Sequence, residues 1–257
     1  IVVLSGKGYT RLGNTPEMSQ RVDWETDAMF SPPLNTYHQH VNADPEKPAR
    51  LLGVTSAPLV MSSFVNSDFV FNTQFQFTDR FQDDTPFLFE RKYLGNRIWR
   101  TNLVENLKTS DVEAWEERGK GSASLFWEMS DNVMMQPHIS DIPVGTYKLG
   151  HRHKHEALIY IVSGQGYSLL TPYKGAERVK VDWAEGDIFA IPLFWYHQHF
   201  NVGESPARYL AIHNPPWMRR FNLEWRDQIE AEDEDPAIRT QYEEELAKAR
   251  AQRPSSE

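Results

Sequence analysis

Histidines are the residues in this chain whose types and spacing best suit chemistry. Gly145-x5-His151-x-His153 is followed by Gly164, and then by Gly186-x5-Pro192-x4-His197-x3-Asn201. Side chains alternate across a strand, so His151 and His153 lie on one face if the segment is extended. Three neutral imidazoles converging in a small barrel make a good site for a borderline divalent metal. With no cysteine in the chain, disulfides, thiolate nucleophiles and zinc-thiolate sites are excluded. His155 keeps the inward parity of the pair and is either a fourth ligand or a rim residue. Glu156 has the opposite parity and faces away, as does Arg152. His199 shares the parity of His197 and either supports a ligand or touches substrate, or simply packs.

An internal repeat organises the elements that must position these residues. Ser5-Gly-Lys-Gly-Tyr9 returns as Ser163-Gly-Gln-Gly-Tyr167, and Val22-Asp-Trp24 returns as Val181-Asp-Trp183. Tyr37-His-Gln-His-Val-Asn42 returns as Tyr196-His-Gln-His-Phe-Asn201, and Pro48-Ala-Arg50 as Pro206-Ala-Arg208. Four ordered blocks at one domain-sized spacing mean two copies of a unit rather than a solenoid. Each copy reads as short apolar or alternating strands punctuated by Gly, Pro and Asp, for example Ala157–Val162 before Ser163-Gly164. That pattern predicts an all-β fold of two jelly-roll barrels in tandem, with short helices and a C-terminal helix.

The expected boundaries are 1–56 for a first, N-terminally incomplete barrel, 57–124 for linker strands and a short helix, 125–217 for the second barrel and 218–257 for a charged helical tail. Ser110–Glu117 carries a helix-capping pattern that stops at Gly119. Asp235-Pro236 opens a helix with Ile238, Tyr242 and Leu246 on one face. Phe69-Val-Phe71 and Phe75-Gln-Phe77 alternate and read as strands. Ile1–Leu4 resembles the middle of a strand and shows no basic signal region.

The two histidine blocks resemble the paired motifs of the cupin superfamily, and the repeat makes the chain similar to a bicupin. The resemblance implies His151, His153 and His197 as metal ligands. The family's ligand glutamate falls on Ala157, a departure shared with gentisate 1,2-dioxygenases and related ring-cleaving bicupins. The block His151-Arg-His-Lys-His-Glu-Ala157 and Trp195-Tyr-His-Gln-His-Phe-Asn201 look like theirs. That likeness implies an Fe(II) dioxygenase acting on a small hydroxylated aromatic carboxylate, with O2 as co-substrate and His199 or His155 handling the proton as catalytic groups.

Two other classes use the same three histidines. One is a non-redox lyase, hydrolase or isomerase with Mn, Zn or Ni; the other is a non-catalytic cupin that binds a small ligand. A net charge of −9 argues against a nucleic-acid partner. The longest apolar runs fall far short of the roughly 18 residues of a membrane span. Hydrophobic residues make up 40% of the chain, too many for a disordered protein. The remaining expectations are a cytoplasmic homo-oligomer and a first copy that retains only His38 and His40 of a metal site.

Overall fold

In the computed structural model the described residues are 1–130 and 134–252, and the chain divides into two compact units. The first comprises 1–110 with 126–136, and the second 111–125 with 137–257. No helix among the described residues is long and apolar enough to cross a membrane.

The first unit opens with β1 (Val2–Ser5), β2 (Lys7–Gly13), β3 (Gln20–Glu25), β4 (Met29–Phe30), β5 (Tyr37–Asn42) and β6 (Arg50–Leu52). The short helices α1 (Ala57–Phe64) and α2 (Ser67–Asn72) follow, then β7 (Lys92–Gly95), β8 (Ile98–Arg100) and β9 (Leu103–Val104). One sheet has the order β6-β1-β4-β9 and the other β3-β2-β5. Between them Val3, Leu12, Val22, Trp24 and Phe30 form a buried core.

The second unit contains β10 (Glu113–Ala114), the start of β11 (Ala123–Glu128), β12 (Gln136–Ile142), β13 (His151–His153), β14 (Ala157–Ser163), β15 (Gln165–Thr171) and β16 (Val179–Ala184). It continues with β17 (Ile188–Ile191), β18 (Tyr196–Asn201), β19 (Ala207–His213), α3 (Pro215–Arg220), β20 (Arg226–Gln228) and α4 (Pro236–Ala251). Strands β12 to β19 alternate between two sheets, β17-β14-β19-β12 and β16-β15-β18-β13. This eight-strand order is a jelly roll. The first unit shows six of the same eight positions, β1 to β6 standing for β14 to β19. Tandem jelly-roll architecture is therefore the fold.

The repeated sequence blocks turn out to be packing devices. Gly166 lies under the Trp183 ring, and a Cβ there would overlap both that ring and the Phe200 carbonyl oxygen; Gly8 meets Trp24 and the Val41 carbonyl in the same way. Gly164 has φ +88° and lies against Ala207, as Gly6 at φ +92° lies against Ala49, so the Pro-Ala-Arg block supplies a residue small enough to be approached. Asn201 donates to the carbonyls of Ile142 and Ser205, both at 2.9 Å, and pins the strand ends.

Helix α4 docks on the outer face of the second barrel. Ile238 and Tyr242 join Tyr167, Leu169 and Phe200 in one buried cluster, and the Tyr242 hydroxyl donates to the Asn201 carbonyl at 2.9 Å. Asp235 caps the helix by accepting from Ala237 N–H at 3.0 Å, as the sequence pattern predicts.

Three local expectations fail, one of them Phe75-Gln-Phe77, which forms no strand. The Phe69–Phe71 stretch is helical, because Asn66 accepts from Phe69 N–H at 2.8 Å and starts α2; the cap outweighs the alternation, and both aromatics stay exposed. The Ser110–Glu117 stretch forms β10 and a 3-10 turn over Glu116–Arg118. Cross-strand pairing of Glu113 and Ala114 with β11 captures the segment before a helix can form.

Gly166→Ala forces an overlap with backbone, whereas Gly145→Ala meets open space and only a φ of +72°. The first variant is expected to lose about 3 kcal/mol or more of unfolding free energy and the second about 1 kcal/mol. Urea denaturation of the two side by side checks the difference.

Candidate metal centre

β13 and β18 are neighbours in one sheet, with His151 directly opposite His197. His153 lies two residues along β13 on the same face. Ring centroids are 4.0 Å apart for His151 and His197, 4.9 Å for His153 and His197, and 5.6 Å for His151 and His153. The three offer ligand atoms within 4.8 Å of one another, and all three side chains are buried.

Their orientation is fixed by the backbone. His151 Nδ1 lies 3.3 Å from the Leu149 carbonyl, His153 Nδ1 2.6 Å from that of His155, and His197 Nδ1 3.1 Å from that of Trp195. A carbonyl only accepts, so each Nδ1 carries the proton and each Nε2 keeps its lone pair. Burial pushes His151 and His197 well below the ordinary imidazole value and His153 down to about 4. The result is three neutral nitrogen donors on one spot, a set that fits a borderline divalent metal through Nε2.

The position of the missing carboxylate is filled by Ala157, which is buried and faces Ile191 on one side and His213 on the other. His213 and His138, on the adjacent strands β19 and β12, were not singled out by any sequence motif. Their ring nitrogens lie 3.2 Å apart. His213 is 4.7 Å from the His155 ring, and His155 stacks on His153 at 3.8 Å. Seven of the chain's nine histidines thus line one barrel. Period-two alternation on β12 and β19 was the available signal, since Ser140 and Ala211 mark the same inward parity.

His155 is buried, and its Nδ1 has no hydrogen-bond partner. Burial lowers it to about 3. His199 is held differently from the three convergent rings. Its Nδ1 lies 2.8 Å from Ser168 Oγ, and Trp183 Nε1–H donates to that same oxygen at 3.0 Å. The indole only donates, and buried Ser168 has no other acceptor for its own proton among the described residues, so that proton goes to His199 Nδ1 and His199 presents Nε2–H. It is thus a hydrogen-bond donor where the other three are acceptors. Burial lowers His199 to about 3 as well, so both candidate proton carriers are neutral at pH 7.

The other polar and aromatic side chains near the motifs lie off the site. Arg152 pairs with Asp227 at 3.3 Å and covers the Tyr196 ring, and Glu156 is exposed. Tyr147 stacks on Phe200 beneath α4 and donates to Glu234 at 2.6 Å. Arg208 forms a two-bond pair with Asp141 at 2.7 and 2.8 Å. In the first unit, His38 Nδ1 lies 3.1 Å from the Thr36 carbonyl, and His40 repeats the His199 arrangement through Thr10 and Trp24. No counterparts of His151 and His153 stand beside them among the described residues.

Because these imidazoles are neutral when folded, the unfolded chain takes up more protons below pH 6.5. Stability of the metal-free protein should therefore fall as pH drops from about 6.5 towards 4. Each fully buried histidine contributes roughly 1.4 kcal/mol per pH unit in that window. Thermal unfolding of chelator-treated protein from about pH 7 down to about pH 5 measures the slope; a flat profile would contradict neutral burial.

A family model described as "Cupin domain" matches residues 138–213. A search of curated proteins finds no significant match. Among solved structures, a point mutant of salicylate 1,2-dioxygenase from Pseudoaminobacter salicylatoxidans is similar at 13% identity and a TM-score of 0.56, covering 88% of this chain and 67% of that one. A mutant oxalate decarboxylase from Bacillus subtilis is similar at 12% identity and TM-score 0.48, covering 82% and 61%. Another structure of a salicylate 1,2-dioxygenase, from Pseudaminobacter salicylatoxidans, gives 10% identity and TM-score 0.37, covering 47% of this chain and 33% of that one. The chain thus spans a third to two thirds of the length of these neighbours, and what it shares with the first of them is the fold. Over residues 138–213 the chain is similar to a cupin domain, and its buried histidine triad is able to hold a divalent metal.

Proposed function

We propose that the second barrel holds a single Fe(II) ion on His151, His153 and His197, and that the protein is a dioxygenase acting on a small, anionic, hydroxylated aromatic carboxylate. The observation that carries the reading is the common tautomer of the three imidazoles, which turns three Nε2 lone pairs to one point with no carboxylate among them. A neutral facial set leaves the ion's full positive charge to attract an anionic chelating substrate, and leaves coordination positions for it. The fold shared with a salicylate 1,2-dioxygenase supports the same reading.

When bound, ferrous iron supplies Lewis acidity towards a substrate hydroxyl and electrons towards O2. The chain's own residues do the rest. The carbonyls of Leu149, His155 and Trp195 hold the ligand rings in one orientation. His199 Nε2–H, locked by Ser168 and Trp183, donates a hydrogen bond to substrate oxygen. His155, neutral and with no partner for its Nδ1 among the described residues, accepts a hydrogen bond from a substrate hydroxyl and orients it.

The test is metal analysis of protein purified without air, followed by oxygen uptake with gentisate, salicylate and 1-hydroxy-2-naphthoate after Fe(II) loading. Near-stoichiometric iron with uptake on one of them is the expected result. Stoichiometric zinc, manganese or nickel without uptake would replace the dioxygenase by a Lewis-acid enzyme. His197→Ala should abolish metal binding while leaving the circular dichroism spectrum unchanged; metal retained at full stoichiometry would overturn the site.

A further inference from the structure

The interior of the second barrel carries positive charge with no buried carboxylate beside it among the described residues. Lys148 is 2% exposed and Arg118 is 5% exposed. Lys148 Nζ sits 5.4 Å above the Tyr209 ring, and its backbone N–H donates to the His199 carbonyl at 2.9 Å, which places it beside β18 two residues from His197. The Arg118 carbonyl accepts from Leu149 N–H at 2.8 Å, and its guanidinium donates to Gln228 Oε1. Gln228 stands opposite His151 on β20. The Arg118 charge acts on His138, His151, His153, His197 and His199 alike.

Neither cation has a carboxylate partner among the described residues. Asp141, which acts on Lys148, is already held by both nitrogens of Arg208, and Glu230, which acts on Arg118, is exposed and bonded to Gln228. Among the described residues of this unit no Asp or Glu is buried. Burying an ammonium and a guanidinium without a counter-charge costs several kcal/mol. Desolvation holds Lys148 down at about 7, as expected of an amine whose partner is missing. A metal on three neutral histidines would add to the excess. Buried charge of one sign persists where a ligand of the other sign completes it.

We propose that Lys148 and Arg118 form an anion subsite inside the barrel that receives the carboxylate of a small organic acid. The proposal deepens the dioxygenase reading and rests on it for the chelating half of the ligand; the carboxylate subsite itself needs no metal. Arg118 offers a planar fork and Lys148 a point charge. Together they fix which end of the acid lies away from the metal. Nothing in the sequence motifs marks either residue: Arg118 comes from a 3-10 turn outside the eight-strand barrel, and Lys148 from the loop that precedes β13.

Benzoate and salicylate are the probes, titrated by calorimetry into Fe(II)-loaded protein under nitrogen and into chelator-treated protein. Benzoate carries the carboxylate alone, and salicylate adds the neighbouring hydroxyl. Lys148→Met is expected to weaken both acids roughly 10- to 100-fold while leaving metal content unchanged. It should also raise the melting temperature of the ligand-free protein, because it removes an uncompensated buried charge. A residue needed only for packing would lower that temperature. Arg118→Gln serves as a second variant and should weaken both acids without losing metal. Unchanged affinity in both variants, or no binding of either acid to wild-type protein at millimolar concentration, would overturn the subsite. Protein that takes up no metal yet binds benzoate in a Lys148-dependent way would keep the subsite and remove the dioxygenase reading.

Discussion

The second barrel depends on the placement of a few protons. In three histidines Nδ1–H is spent on a backbone carbonyl, and in a fourth Nδ1 accepts from a serine held by a tryptophan. Desolvation keeps all four rings neutral, so each has one donor and one acceptor, and the backbone decides which is free. Reversing any of the three carbonyl contacts would aim an N–H at the metal position. Strand register therefore sets the chemistry as directly as residue type does: a slip of β13 by one residue against β18 would move His151 and His153 to the outer face and part them from His197.

Period-two alternation made the barrel legible, and the repeat made its duplication legible, because both are written in consecutive residues. His151, His153, His197 and His199 sit in motifs whose spacing survives in one dimension. His138 and His213 sit in strands that are remote in sequence and meet only because β12 and β19 are neighbours in the sheet. Lys148 and Arg118 were less legible still. Lysine and arginine are read as surface residues by default, and only the closed barrel shows that these two are inside. The same limitation explains α1 and α2, where aromatic spacing suggested strands but a side-chain cap at Asn66 decided the outcome.

The repeat also separates what the fold needs from what the site needs. Tryptophan, hydroxyl and histidine are linked in the same way in both units, through Thr10 in one and Ser168 in the other. The glycine that makes room for each indole is likewise present twice. A network that recurs in both units is a scaffold feature, and it cannot by itself mark chemistry. In the second unit the chemistry comes with β13. It brings two histidines opposite β18, whose residues Tyr196 to Asn201 are all buried.

Burial sets the character of this network in the second barrel. His199 is enclosed beside Lys148 and the metal position, so its free Nε2–H faces a space with few alternative partners. There the indole–hydroxyl relay is an orienting device as well as a packing tie. That role arises from desolvation, since a fixed donor is strong only where water cannot compete for it. Strand β13 supplies two of the three candidate metal ligands, and the loop before it carries the buried Lys148. Ligand binding, proton position and charge recognition in this barrel are consequences of the same closure.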